Sequence, residues 1–282
     1  MRSKVTRFER SHIVSLTGSR MNALSWLTDD GLSPTGGSRV AVVVAHPDDE
    51  TIGCGGSLSR LHGVNIVVVT DGAPRDLIKA RRAGFQSAPD YARARMQELR
   101  SALDLAGIRE EQVFAMGVED GGVWPVQLAI TQRLAAFFGE RKIDVVLTHA
   151  FEGGHSDHDG VAYSVHLAAG LLLSRGPVII EMPFYHQGRS GPTFQTFCDG
   201  EDGVVTRLSP AQVVQKRAMF DCFRTQKHIL DCFDPTIERY RLAKAYDFRS
   251  PPNLGALRYS GRQAAECGNS PPSLARSQSL AS

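Results

Sequence analysis

The sequence predicts an α/β fold, a doubly wound and mainly parallel sheet with helices on both faces. Three observations carry that prediction. Apolar, β-branched runs recur at 40–45, 65–70, 144–148 and 178–182, continuous rather than alternating, as in strands covered on both faces. Segments with helical periodicity lie between them, which is the alternation that parallel crossover units require. Two of the runs are followed at once by dense His and Asp clusters, at 46–50 and 155–159, where an open sheet of this kind binds its ligands.

Taken in order, residues 1–38 are mixed and polar, end in GLSPTGGS, and are expected to form a peripheral leader with a short helix near 21–27. A single domain is expected over 39–258. Its first strand, 40–45, runs through HPDDE into a helix at about 56–62, introduced by Gly53, Gly55 and Gly56. After the strand at 65–70 comes a long charged loop, 71–89, containing Gly72, Pro74, Gly84 and Pro89. Met96, Leu99, Leu103 and Ala106 share one face of a helix at 92–106, which Gly107 ends. A strand at 112–116 and a Gly-rich loop follow, and Pro125 suits the start of a helix over 126–138. The strand at 144–148, the HSDH loop and a helix at 160–173 lead to the strand at 178–182. The Gly-, Thr- and Phe-rich stretch 187–208 suits short antiparallel strands, and Ser209-Pro210 is a good helix start. The composition of 259–282 predicts a disordered tail.

Composition excludes several function classes. The formal net charge is +2 over 282 residues, too small to argue for nucleic acid or an anionic membrane, and no apolar run is long enough to span a bilayer. The basic N-terminus lacks the apolar stretch of a secretory signal, so a cytoplasmic location is expected. Cys54, Cys198, Cys222, Cys232 and Cys267 contain no CxxC pair and form neither a disulfide framework nor a cysteine zinc site.

The chemistry lies in the two clusters. His46, Asp48, Asp49 and Glu50 would crowd one strand end and repel one another without a cation between them. His155, Ser156, Asp157, His158 and Asp159 follow another strand and can reach the same edge. A His/Asp set from one loop and a His from the other makes a three-ligand site with open positions, the catalytic form of a metal centre. His46-Pro47-Asp48 with a distant His158 also matches the HxD…H triad of non-haem Fe(II) oxygenases, although those are built on antiparallel scaffolds. A dinucleotide loop is disfavoured: the GxGxxG spacing is absent and carboxylates crowd the place of a pyrophosphate.

AHPDDE at 45–50 with HSDH at 155–158 closely resembles the PIG-L/LmbE family of metal-dependent N-acetylglucosaminyl deacetylases. The resemblance implies a Rossmann-like architecture and a hydrolase that removes acetyl from an N-acetylated amino sugar or glycoconjugate. It implies His46, Asp49 and His158 as ligands of Zn²⁺, with Fe²⁺ also acceptable, and Asp48 as the base acting on metal-activated water. His155 would stabilise the oxyanion and protonate the leaving amine, with Asp157 orienting it. Asp120 matches a position that contacts sugar hydroxyls, and Tyr185 and Arg75 are further candidates for substrate binding. A non-catalytic sugar-binding protein on the same fold is the remaining alternative. One departure stands out: some relatives carry a tyrosine two residues before the first histidine of the second motif, where this chain has Gly153. Tyr185 is a candidate to supply that role. No nucleic acid or integral membrane partner is expected.

Overall fold

The computed structural model describes residues 24, 25, 27, 39–201 and 203–259. Nine strands are present among them: β1 (Val40–Val44), β2 (Asn65–Thr70), β3 (Val113–Val118), β4 (Val145–His149), β5 (Val178–Met182), β6 (Tyr185–Gly188), β7 (Gly191–Phe194), β8 (Val204–Arg207) and β9 (Ile237–Leu242). Seven of them form one sheet in the order β3-β2-β1-β4-β5-β9-β8. The first five are parallel to one another, and β9 and β8 add antiparallel pairs at one edge. Val42 of β1 sits opposite Ile66 on one side and Leu147 on the other. Strand order therefore reverses between β1 and β4, and the crevice beyond their carboxyl ends is the switch point of the fold. HPDDE and HSDH follow those two strands. The mainly parallel, doubly wound sheet is the architecture expected from the sequence.

Both faces of the sheet are covered, which is why its central strands read as unbroken apolar runs. Val40, Val42 and Val44 point into one core with Ile52, Leu99, Leu103 and Met219. Ala41, Val43 and Ala45 point into the other, with Ile130, Leu134, Phe138, Val161 and Val165. The helices that supply these residues are α1 (Asp49–Cys54), α3 (Ala88–Leu105) and α6 (Pro210–Cys222) on the first face. On the second are α4 (Gln127–Arg141) and α5 (Ser156–Leu171). Two short helices, α2 (Leu77–Arg82) and α7 (Lys227–Leu230), complete the set. None of the described helices is long and apolar enough to cross a membrane.

Several boundaries differ from the sequence expectation, each for a local reason. In place of the helix expected at 56–62 there is only a 3₁₀ turn at Leu58–Arg60, and the helix that follows β1 is α1, which ends at Cys54 and has the motif carboxylates Asp49 and Glu50 in its first turn, where the helix dipole favours them. The loop expected over 71–89 contains α2, and α3 starts at Ala88 rather than 92. Ser87 caps it by accepting from the Asp90 N–H, and Pro89 occupies the first turn as a start signal rather than a loop residue. The second motif is likewise the start of α5, four residues before the expected 160, with His155 as its N-cap. Strand β9, rich in charged residues, was not expected at all. Leu27, from the leader expected to be peripheral, is buried in the core, and its carbonyl accepts from Thr206 Oγ1 at 3.0 Å. The remainder of the proposed leader helix and the tail from 260 lie outside the described residues.

Candidate active site

Strand β1 carries the chain to His46 inside the fold, and the next turn is tight. Asp49 closes it by accepting the His46 N–H on Oδ2 at 2.7 Å. Asp48, between them, has φ 138° and ψ −27°, a conformation that a side chain resists. Two contacts hold it there. Glu50 Oε2 accepts the Asp48 N–H at 3.1 Å, and the Arg95 guanidinium lies 3.2 Å from Asp48 Oδ2. Arg95 also donates to the Pro47 and Gly72 carbonyls, each at 2.7 Å, so it stitches the two loops beyond β1 and β2.

The second motif meets the first at its imidazoles. His46 Nδ1 is 3.2 Å from His158 Nε2 and 3.2 Å from Asp49 Oδ2, and His158 Nε2 is 3.4 Å from Asp49 Oδ1. Ligand atoms ~2.0–2.1 Å from a tetrahedral zinc stand about 3.3 Å apart. The two imidazole nitrogens have that spacing from each other, and each has it from a different oxygen of the Asp49 carboxylate. Two ring nitrogens confronting each other beside a carboxylate also call for a proton or cation between them. Burial works against a charged His46, but hydrogen bonds to Asp120, Asp157 and Asp49 outweigh it and raise its proton affinity well above the ordinary imidazole value. Nitrogen and carboxylate donors in this set fit Zn²⁺ or Fe²⁺. Among the described residues, the sets whose ligand atoms all lie within 4.8 Å of one another are His46 with His155 and His158, Asp49 with His149 and His158, and His46 with Asp120 and Asp157, so His46, Asp49 and His158 each belong to such a set but not all to the same one.

His149 lies behind these donors. Its ring stacks on His158 with centroids 4.0 Å apart, and its Nε2 accepts the Ala45 N–H at 2.9 Å. Burial, followed by the neighbouring histidine His158, pushes its pKa well down, so it is a neutral support. His155 caps α5 by accepting the Asp157 N–H on Nδ1 at 3.1 Å. Burial, with His46 and His158 nearby, lowers its pKa to about 4. The neutral ring therefore carries its proton on Nε2, 4.0 Å from Asp120 Oδ1.

The acidic residues divide by position. Burial raises the Asp48 pKa to about 7, with Arg95 opposing and Asp49 reinforcing the rise. Asp49 moves the other way: burial is overcome by His158, His149 and His46. Asp120 lies 3.4 Å from His46 Nε2, and despite burial that histidine holds its carboxylate far below the usual range. Asp157 touches His155 through its backbone amide. Its carboxylate instead accepts the Gly121 and Val123 N–H groups at 2.6 and 3.3 Å and faces His46 Nε2 at 3.4 Å. The carboxylate of Asp157 thereby fixes the loop that presents Asp120. Asp159 Oδ1 accepts from Glu152 and Gly153 N–H, and its Oδ2 from the Tyr259 hydroxyl at 2.7 Å.

A cavity of about 130 Å³ opens onto this cluster. His46, Asp48, Asp49, Asp120, His155, His158 and Tyr185 all line it, so the structure brings together every proposed site residue except two. Asp157 lies fully buried just behind the wall. Arg75 is turned away from the lining, its guanidinium 2.7 Å from Asp71 and 3.4 Å from Glu119. Arg95, Ile52, Gln226, Ile229 and Phe233 also line the cavity and were missed from sequence. Arg95 left a usable signal, because Tyr91, Arg95, Leu99 and Ala102 fall on one buried helical stripe where a charge is out of place. Nothing local marks Gln226, Ile229 or Phe233, which tertiary packing brings to the rim.

Residues 41–169 match the model of the family described as PIG-L: GlcNAc-PI de-N-acetylase. No curated protein matches the sequence. Among solved structures, A40926 pseudoaglycone deacetylase Dbv21 is similar at TM-score 0.54 and 21% identity over 69% of this chain and 84% of its own. N,N'-diacetylchitobiose deacetylase from Pyrococcus horikoshii matches at TM-score 0.50 and 17% identity, covering 79% and 92% respectively. GalB, a 4-carboxy-2-hydroxymuconate hydratase from Pseudomonas putida, matches at TM-score 0.52 and 20% identity over 69% and 82%. At such identities the neighbours establish the fold, and the hydratase shows that this fold is not tied to one reaction.

Proposed function

We infer the function from the premise that this chain belongs, through its central region, to the PIG-L family of de-N-acetylases. It is a metal-dependent amidohydrolase that removes the acetyl group from an N-acetylated amino sugar or glycoconjugate. The observation that carries this reading is the meeting of His46 Nδ1 and His158 Nε2 at 3.2 Å, with the two Asp49 carboxylate oxygens 3.2 and 3.4 Å from them, beside Asp48 and His155 in one cavity. We assign those three residues as the metal ligands. A divalent ion held there, Zn²⁺ in preference and Fe²⁺ as the alternative, supplies Lewis acidity that makes water nucleophilic near neutral pH.

The remaining roles belong to the chain's own groups. Asp48, not counted as a ligand because its carboxylate faces Arg95, takes the proton from the attacking water. Its strained backbone and the Arg95 contact hold the carboxylate in place for that transfer. His155 presents Nε2–H to the carbonyl oxygen as charge develops on it, and the proton that Asp48 takes from water is the one that passes to the departing nitrogen. The Asp157 amide keeps that proton on Nε2 by occupying Nδ1. Asp120 and Tyr185, which line the cavity, are assigned to contacts with the sugar. The oxygenase alternative would require Asp48 as a ligand in place of Asp49, whereas Asp49 makes the short contacts to both histidines.

The test is acetate release. The protein is stripped of metal, reloaded with Zn²⁺ or Fe²⁺, and assayed on a panel of N-acetylated amino sugars, with an unsaturated dicarboxylate as a hydratase control. Acetate and free amine in equal amounts are expected. Silence across the panel, or water addition to the control alone, sinks the proposal.

A further inference from the structure

We propose that Arg258 forms an anion-binding subsite at the mouth of the catalytic cavity, selecting substrates with a carboxylate or phosphate next to the N-acetylated sugar. This rests on the deacetylase reading above. The cavity, about 130 Å³, opens onto the donor cluster and receives the acetamido group of the substrate. Whatever substituent the amino sugar carries extends from there toward the rim, and selection for it is made there.

Arg258 is at that rim. Its guanidinium carbon is 5.7 Å from the ring centroid of Tyr185, a cavity-lining residue whose ring is 5.5 Å from that of His158. The stretch that carries it is tied down on both sides. Arg258 donates its own N–H to the Gly153 carbonyl at 2.9 Å, and the next residue, Tyr259, donates its hydroxyl to Asp159 at 2.7 Å. Upstream, Asn253 donates to the Gln187 carbonyl at 2.9 Å. Gly153 makes this strap possible: its φ is +75°, and a Cβ there would come within 2.9 Å of Leu257. The loop position that lacks a side chain is thus the position that receives the strap and its arginine.

The other nearby arginines are already engaged. Arg95 is taken up by Asp48 and two carbonyls, and Arg75 by Asp71 and Glu119. Arg258 is exposed and forms no ion pair with any described residue. An immobilised backbone with a free planar fork at the end of its side chain suits a carboxylate or phosphate.

Calorimetric binding to the metal-loaded full chain tests this with three probes: N-acetylglucosamine, N-acetylglucosamine 1-phosphate and N-acetylmuramic acid. The acidic sugars are expected to bind roughly tenfold tighter than the neutral one, and more weakly in high salt. Arg258→Gln should remove that preference while leaving N-acetylglucosamine binding unchanged, and Arg258→Lys should keep part of it. Whichever acidic sugar gains more identifies phosphate or carboxylate as the preferred group. Equal binding of all three probes by the unaltered protein overturns the proposal, as does an equal loss for neutral and acidic sugars in Arg258→Gln. Acetate release is followed in parallel. A binding preference without acetate release would sink the deacetylase reading and leave the subsite standing.

Discussion

At Asp48 a carboxylate and a backbone with φ 138° occupy the same residue. That conformation costs of order 1–3 kcal/mol, and the turn keeps it because it sets a carboxylate beside the donor cluster. HPDDE was legible as a cluster, but three acids in a row do not reveal which one turns toward Arg95 and which toward the histidines. Asp48→Asn keeps the shape and removes the basicity. We expect bound metal, measured by elemental analysis, to stay at the unaltered level while turnover falls by about 10²–10⁴-fold. Loss of metal together with activity would make Asp48 a ligand instead. Asp157 shows the same limit: its proximity to His155 was readable from spacing, yet the contact is made by the amide while the carboxylate serves the Asp120 loop.

Strands β1, β2, β4 and β5 were readable because burial on both faces leaves continuous Val and Ile runs. Where motif residues themselves form the first turn, the start of α5 reads four residues late and α1 does not read as a helix at all. Polar caps and first-turn acids look like loop until the helix behind them is known. Strand β9 was invisible for a different reason. Its sequence, IERYRL, satisfies its charges in tertiary partners, Glu238 with Lys216 and Arg241 with Glu181. Packing of the readable strands predicts a simple contrast. Leu147→Ala in β4, fully within the core, should cost about 2–5 kcal/mol by denaturant unfolding. Leu171→Ala, at the exposed end of α5, should stay within about 0.5 kcal/mol.

Across the whole molecule, the antiparallel edge braces the site from behind. Glu238 accepts Gly56 N–H at 2.7 Å, Ser57 Oγ at 2.6 Å and Tyr240 OH at 2.7 Å, while Lys216 bridges Glu238 and the Ile52 carbonyl at 2.8 and 2.9 Å. Both charges are fully buried, so removing one strands the other. Lys216→Met is expected to lower stability by about 3–5 kcal/mol, measured by chemical unfolding. Metal should act on the molecule as a whole too. At a free ion concentration one hundred times its Kd, Zn²⁺ should add about 2.7 kcal/mol of stability and raise Tm. A chelator should reverse the rise, and His158→Ala should abolish it; an unchanged Tm in every case would argue against a specific ion site.

The sequence by itself determined the parallel core and the two chemical loops, because both are written locally, in runs of apolar residues and in short polar motifs. The tertiary structure alone decided which atoms of those motifs face one another, and which distant residues close the pocket. Arg95, Phe233 and Arg258 reach the cavity or its rim through packing between elements far apart in the chain. No spacing along a single helix or strand encodes that meeting.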